Sequence, residues 1–423
     1  MSKIQSVKGM PDILPDTIHQ WHYIESTFQQ LANSYGYQEI RFPIVESTAL
    51  FKRAVGEVTD IVEKEMYSFP DRRDESLSLR PEGTAGCVRA CVQHALLRET
   101  RRLWYQGPMF RYERPQKGRQ RQFHQIGIET FGWQTPDIDA ELILLSAQLW
   151  KQLGVLDSVE LQINSLGNSE SRAAHRTDLL VFLSQHESEL DADSQKRLST
   201  NPLRILDSKN PDTQALLDTA PNLLDYLDDA SAQHFVELKS ILDQCNVVYT
   251  VNPRLVRGLD YYNMTVFEWV TDALGAQGTV CAGGRYDTLV EQLGGSSTPA
   301  VGMAMGVERL CLLLDTLNAS AKKPTDCDVY VVIEEDAMIR TQAFAAITKL
   351  RHAQPDVRYM VHCGGGSIKS QLKKANKRGA QVALLFAGNE METQQCMVKP
   401  LRVDDEQQTC HINDIERTIK QYL

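Results

Sequence analysis

Four short stretches of this chain carry residues suited to holding a phosphorylated substrate. Arg111 to Arg121, RYERPQKGRQR, has five basic side chains (Arg111, Arg114, Lys117, Arg119, Arg121) against one acid, Glu113, a local net charge of +4. Arginine and lysine bind phosphate oxygens, and arginine does so bidentately. The stretch reads in three ways: a solvated turn, as charged loop tips commonly are, a dock for phosphates, or a clamp on a reacting phosphate. Arg111 stands at the end of a strand pattern, where a scaffold can hold it rigidly, and takes the clamp reading. Gln116 to Arg121 takes the dock reading. LVRGLDYYN adds Arg257 beside Gly258, then Asp260, Tyr261 and Tyr262. CAGGRYD puts two glycines before Arg285, and VGMAMGVERL places Arg309 in the opening turns of an apolar helix. Each of these recurs in ordinary turns. Their combination is a site signal: strand-end arginines, carboxylates and tyrosines, with small residues that let a ligand approach the backbone. No GxxxxGK[ST] loop is present, which excludes a Walker-type nucleotide site.

A metal reading fares worse. Cys87, Cys91 and His94 fall at i, i+4 and i+7 of a helix pattern. No fourth ligand accompanies them, as a tetrahedral site requires. The same spacing is a core face, and cysteine packs as a small hydrophobe. No metal centre is expected.

The elements that must position these residues follow from periodicity. WHYIESTFQQLANSYGY (Trp21 to Tyr37) has helical spacing and stops at Gly36. QEIRFPIVE is a strand interrupted at Pro43, which cannot donate to a ladder. SLSLRPEGT alternates and then turns, and TAGCVRACVQHALL is a helix with Thr84 near its start. RRLWYQGPMFRYE and FHQIGIETFGW form a long-looped hairpin around the basic stretch. A helix, DIDAELILLSAQLWKQLG, and a strand, VELQINSLG, follow. Residues 169–246 turn helical and acidic. Strand character returns with NVVYTVNPRLVRGLDYYNMTVFEWVT, so the helical block reads as an insertion into one domain. ASAKKPT, 319–325, is a linker. Beyond it DVYVVIEE, TQAFAAITKLRHA, VRYMVHC, SIKSQLKKANKRGA, QVALLFAG and INDIERTIKQYL read as β-α-β-α-β and a closing helix, a separate α/β domain. The expected divisions are 1–168, 169–246, 247–318, the linker, and 326–423.

Composition sets the context. The chain has 423 residues, 45 of them basic and 55 acidic, for a net charge of −10. That argues against indiscriminate nucleic-acid binding while permitting a local basic patch. No apolar run approaches the ~20 residues of a membrane span. The polar, proline-bearing start, MSKIQSVKGMPDILPD, is no signal peptide. Nine scattered cysteines fit reduced thiols. A cytoplasmic protein with no membrane contact is expected.

With these residues in place, the chain resembles the histidyl-tRNA synthetase family of bacterial type, class II aminoacyl-tRNA synthetases, over nearly its whole length. YGYQEIRFPIVE is similar to motif 1, with Pro43 as its proline, and MFRYERPQKGRQRQFHQIGIETFG to motif 2. VGMAMGVERL is similar to motif 3, with Arg309 as its arginine. LVRGLDYYN and CAGGRYD resemble the two histidine-specific signatures, and LRPEGTAG the amino-acid-binding segment. The resemblance implies an α+β fold: a six-stranded antiparallel sheet flanked by helices, with a helical insertion and a C-terminal anticodon-binding domain. It implies a homodimer built through motif 1. It implies ligation of L-histidine to the 3′ end of tRNA(His) through a histidyl-adenylate, with ATP as its Mg2+ complex and no tightly bound cofactor. Arg111 and Arg309 would hold ATP, and Arg257 the region of the α-phosphate and the histidine carboxylate. Glu129 and Tyr262, with Tyr261 beside them, would take the imidazole. Glu82, Thr84 and Gln125 would take the α-amino group. Read without the resemblance, Glu82 and Glu129 serve equally well as salt-bridge partners of nearby arginines.

The resemblance also gives the basic loop two polyanions to meet, ATP and the acceptor end of tRNA, with Gln116 and Arg121 facing the extra 5′ guanosine of tRNA(His). In SIKSQLKKANKRGA the bases Lys373, Lys374 and Lys377 would face the anticodon loop. A solvated helix face is the plain alternative for those lysines. Two rivals stand beside the ligase. One is a non-catalytic histidine sensor or regulatory subunit, which needs neither residues 326–423 nor the three arginines. The other is a threonyl or prolyl enzyme, which leaves RGLDYY unexplained.

Overall fold

Alternation along the strands is what creates a hollow in this protein. The computed structural model describes residues 3–56, 59–257, 259 and 261–423. The chain divides into two compact units, Met1–Ala321 and Lys322–Leu423. In the first, eight strands form one sheet: β1 (Gln38–Glu39), β2 (Arg101–Phe110), β3 (Gln122–Phe131), β4 (Glu160–Ser165), β5 (Thr250–Val251), β6 (Asn263–Val270), β7 (Thr279–Arg285) and β8 (Ala300–Gly306). Their order is β1-β2-β3-β8-β7-β6-β4-β5. The six inner strands are antiparallel throughout, as expected. The two-residue strands β1 and β5 lengthen the sheet by a parallel pairing at each edge. The first of these ends at Glu39, ahead of Pro43, and the chain resumes as Val45–Ser47 in a small separate sheet with Ser68–Pro70 and Ser76–Leu79.

Side chains alternate across a strand, and here the two faces differ in size. On one face Ile126, Ile128, Val301, Met303, Met305, Phe267 and Trp269 enter the larger core. That core is closed by helices Ile18–Ser34, Pro136–Gln152 and Val307–Thr316, through Phe28, Leu142, Trp150 and Leu313 among others. The opposite face receives Gln125, Gly127 and Glu129 from β3 and Gly302, Ala304 and Gly306 from β8. These are small or polar, so this face is hollow at its centre. Around the hollow, helices Thr48–Val55 and Thr84–Gln93 supply Phe51, Val55, Val88 and Cys91 to a second core shared with Tyr105, Tyr261, Tyr262 and Tyr286. Cys87 and Cys91 are buried in that core, whereas His94 is exposed at the helix end.

The helical block has a core of its own, built from Leu179, Leu183, Leu190, Ile205, Leu206 and Leu217. Helix Asp229–Gln244 does not join it. Its Phe235, Leu238 and Leu242 pack into the larger core of the sheet. The second unit is a five-stranded sheet in the order Tyr359–Val361, Val329–Ile333, Val382–Phe386, Gln395–Pro400, Gln408–His411. The first three strands are parallel and the last two antiparallel. Helix Ala337–Ala353 covers one face through Ile339, Ala343 and Ile347, and helix Ile368–Lys377 covers the other through Leu372 and Ala375. The β-α-β-α-β order read from the sequence is present. The two antiparallel strands before the closing helix Ile415–Lys420 are additions to it.

Among the described residues no helix is long and apolar enough to cross a membrane.

Candidate active site

The hollow face of the sheet opens into a cleft with about 980 Å³ of empty space. Strands β2 and β3 bring Tyr105, Phe123 and Gln125 to it, β7 brings Thr279 and Ala282, and β8 brings Ala304 and Gly306. Of the residues singled out in the sequence, Glu82, Thr84, Arg111, Gln125, Arg257, Tyr261, Tyr262 and Arg309 all line this one cleft. Gly258 and Asp260 lie outside the described residues.

One end is acidic and hydroxylic. Glu82 precedes helix Thr84–Gln93, and its carboxylate accepts from the amides of Thr84 (2.6 Å) and Ala85 (3.0 Å). Unpaired amides at a helix start favour an anion there. Burial pushes the Glu82 carboxyl above its ordinary range, opposed by those two amides. Glu129 lies a layer deeper, behind the cleft wall. Its Oε1 accepts from the hydroxyls of Thr84 (2.7 Å) and Tyr105 (3.0 Å), and its Oε2 from that of Tyr286. Burial raises its pKa to about 8 despite three hydroxyl donors. Gly302, directly across from Glu129 in the β3–β8 pairing, is where the side chain fits, because a Cβ there would overlap the carboxylate. Tyr105 lies against Gly127 for the same reason. Tyr261 packs on Tyr262 (ring centroids 4.6 Å apart) and edge-on to Tyr286 (5.6 Å). The sequence reading missed Tyr105 and Tyr286. The alternation of RRLWYQG pointed to Tyr105, since Trp104 and Tyr105 must face opposite ways.

Beside it the lining is basic. Arg111, just past β2, donates from Nε to the Pro81 carbonyl (2.9 Å) and lies over the Phe123 ring. Arg309, in the first turn of helix Val307–Thr316, donates to the Thr279 carbonyl (2.6 Å) and the Gly118 carbonyl (3.3 Å). Burial lowers the Arg309 pKa, and the like charges of Arg119 and Arg111 lower it further. Arg257 forms an ion pair with Glu268. Burial works against the Arg257 charge, yet Glu268 and the adjacent tyrosines hold its pKa above the ordinary value. Two buried polar atoms here, Gln125 Oε1 and Arg257 Nε, have no partner among the described residues. A buried polar group left unpaired is costly, so both are poised for a ligand. Glu308 is committed elsewhere, accepting from the His124 amide (2.9 and 3.0 Å) and facing its Nδ1 (3.0 Å).

Other expected residues lie away from the cleft. Gln116 is exposed at the tip of the β2–β3 loop, bridged through its backbone to Arg119. Arg121 stacks on the Tyr112 ring at 3.8 Å and donates to the Glu113 carbonyl at 3.1 Å. Arg119, by contrast, lines the cleft with Glu113 and pairs with it at 2.8 Å, so part of the loop's positive charge is met internally. Lys373, Lys374 and Lys377 are exposed on helix Ile368–Lys377 of the second unit. Arg285 corrects the sequence reading, which grouped it with the strand-end arginines of a site. It is fully buried, ion-paired with Asp139 and Asp287, and donates to the carbonyls of Trp133 (2.8 Å) and Thr135 (3.1 Å). It ties β7 to the start of helix Pro136–Gln152.

Residues 9–310 match the sequence model of the family described as Histidyl-tRNA synthetase. Among solved structures, the chain is similar to apo histidyl-tRNA synthetase of S. aureus, with 34% identity, a TM-score of 0.82, and 99% of this chain and 100% of that one covered. Histidyl-tRNA synthetase from Nostoc sp. PCC 7120 is 19% identical at a TM-score of 0.71, with 99% of each chain covered. An ATP phosphoribosyltransferase regulatory subunit/histidyl-tRNA synthetase from Bacillus halodurans is 22% identical at a TM-score of 0.66, covering 92% of this chain and 100% of that one. The last two likenesses are of fold.

Proposed function

Because this chain belongs to the histidyl-tRNA synthetase family, we propose that it acts as a histidine–tRNA ligase working through a histidyl-adenylate. The observation that carries the reading is the make-up of the cleft: buried carboxylates and hydroxyls, and beside them Arg111, Arg257 and Arg309. An amino acid needs the first and a nucleoside triphosphate the second.

In this reading the histidine carboxylate attacks the α-phosphorus of Mg2+-bound ATP. The bond to the β-phosphate breaks and diphosphate leaves. Such displacement is governed by positioning and by positive charge placed where negative charge builds up. Arg257 serves the reacting phosphate, and Arg111 and Arg309 the rest of ATP. Arg257 enters already partnered by Glu268, which keeps it charged and fixes its direction. Glu82, Thr84 and Gln125 take the α-ammonium, a role supported by the unpaired Gln125 Oε1. Tyr262 takes the imidazole with Tyr261 beside it, and Glu129 acts from behind through the hydroxyls it organises. Hydrogen-bond readout of this kind discriminates far better than shape alone. The terminal adenosine of tRNA(His) then attacks the acyl carbon and AMP leaves.

We further propose the catalytic domain as 1–168 and 247–318, the helical insertion as 169–246, and 326–423 as the anticodon-binding domain, with Lys373, Lys374 and Lys377 facing the anticodon. Gln116 and Arg121 face the 5′ guanosine of the tRNA. A homodimer in the cytoplasm completes the proposal. The dimer is supported by the exposed Ile44 and Val45 of motif 1 and Phe69 of the same small sheet. ATP–diphosphate exchange with each of the twenty amino acids, without tRNA, tests the reading. Exchange with histidine alone is expected. Folded protein that binds histidine without exchange would replace the ligase by the sensor.

A further inference from the structure

One side chain of the helical insertion bonds directly to the backbone at the proposed histidine end of the cleft. The first insertion helix, Ser169–Gln185, starts at Asn168, whose Oδ1 accepts from the Ser171 amide at 2.8 Å. That cap sets the helix direction and places Arg172 in the first turn. Arg172 Nη1 donates to the backbone carbonyl of Tyr262 at 2.6 Å. Around it the same two segments are laced by backbone bonds, Leu166 N to Met264 O (2.7 Å) and Met264 N to Gly167 O (3.0 Å). Met264 has a left-handed φ of 48°. Between Gly284 and Arg285 the β6–β7 register shifts. Tyr262 thus precedes the strand, which is irregular at its start, and its backbone carbonyl is held from outside the ladder by Arg172 while its ring packs on Tyr261. The insertion has its own core, and it also meets this region through Leu223, which packs in the core of Tyr261 and Tyr262, and through Arg254, which bonds the Gln214 carbonyl and pairs with Asp218; Arg172 is the one of these that bonds the Tyr262 backbone.

We infer that Arg172 is a positioning residue for histidine binding: it sets Tyr262 from behind and makes the affinity for the amino acid depend on the seating of the insertion. The inference rests on the proposed place of Tyr262 in the histidine pocket. Arg172 itself touches no substrate in this scheme. Replacing a charge-assisted hydrogen bond by none moves an equilibrium roughly 10-fold or more.

The test compares wild type, Arg172→Met and Arg172→Lys in ATP–diphosphate exchange, with KM for histidine and for ATP measured separately and the unfolding midpoint recorded. Arg172→Met should raise KM for histidine roughly 10-fold, leaving kcat and KM for ATP within about twofold, and Arg172→Lys should recover most of the loss. An unchanged KM for histidine would overturn the inference. So would a rise in both KM values together with a fall in kcat and in the unfolding midpoint, since that marks a structural role alone. A wild type without histidine-dependent exchange would instead remove the functional reading on which the inference stands.

Discussion

Replacing Glu129 by glutamine should make the first unit more stable at neutral and alkaline pH, with a size set by the burial of the carboxyl. In the unfolded chain the group ionises near 4.5, and in the fold near 8. Between those values folding must either take up a proton or bury a charge. Stability contributed by the protonated group is therefore complete below pH 4.5 and is lost as pH rises to about 8. Each unit of the interval counts for about 1.4 kcal/mol, which caps the effect at ~5 kcal/mol. Glutamine resembles the protonated acid, with one acceptor and a donor, and it does not titrate. Some hydroxyl among Thr84, Tyr105 and Tyr286 will lose geometry, but that penalty is the same at every pH. The quantity to follow is the difference in urea unfolding free energy between Glu129→Gln and wild type, from pH 4.5 to 8.5. All five tryptophans (Trp21, Trp104, Trp133, Trp150, Trp269) belong to the first unit, so their fluorescence reports that unit alone. The difference should grow by several kcal/mol across the range in favour of the variant. A flat difference would refute the reasoning, because it would mean that the three hydroxyls keep the carboxyl ionised as readily in the fold as in water.

Three further outcomes are expected. Arg257→Ala should lower histidine-dependent exchange by roughly 100-fold or more, as losing a preorganised donor to a developing oxyanion does, and a change of only a few-fold would remove Arg257 from the reacting phosphate. Changing Lys373, Lys374 and Lys377 together to alanine should weaken tRNA charging and spare exchange, and equal losses in both assays would mark a folding defect. Arg285→Leu strands the buried Asp139 carboxylate, whose pKa burial would raise were Arg285 not holding it down; a cost of roughly 3–5 kcal/mol in unfolding free energy is expected, and a cost below about 1 kcal/mol would mean that Asp139 is rescued by His234, 3.4 Å away.

Periodicity and motif spacing went far here because the hollow is itself a period-two pattern. AVGMAMG alternates large and small side chains, and that alternation puts four methyl-or-smaller positions, Ala300, Gly302, Ala304 and Gly306, on one face of β8. What periodicity does not carry is depth. Glu129 and Glu82 are both acids on elements bordering the cleft, yet one lines it and the other is a layer behind, a difference made by Gly302 on a strand far away in sequence. Arg285 follows two glycines as a binding arginine would, but its partner Asp139 sits on a helix that nothing local in CAGGRYD announces. Helix Asp229–Gln244 is amphipathic like its neighbours, and an apolar stripe does not name the core it will join. In the second unit, Gln408–His411 carries polar residues because it is an edge strand, and edge strands give the weakest strand signal.

The pairing of β3 with β8 has a consequence for how the protein is made. The inner edge of the β2–β3 hairpin, from Gln125 to Phe131, finds its partner only when Ala300–Gly306 leaves the ribosome. At ~5–20 residues per second, about 10 to 35 s of synthesis separates the two strands. Through that interval an open strand edge bearing Ile126 and Ile128 is available to other nascent chains. The helical segment encoded between them, with a leucine-rich core of its own, is synthesised in full while the sheet is still unfinished. Residues that shorten this wait, or chaperones that cover the hairpin while it lasts, bear on yield in the cell without touching the finished cleft.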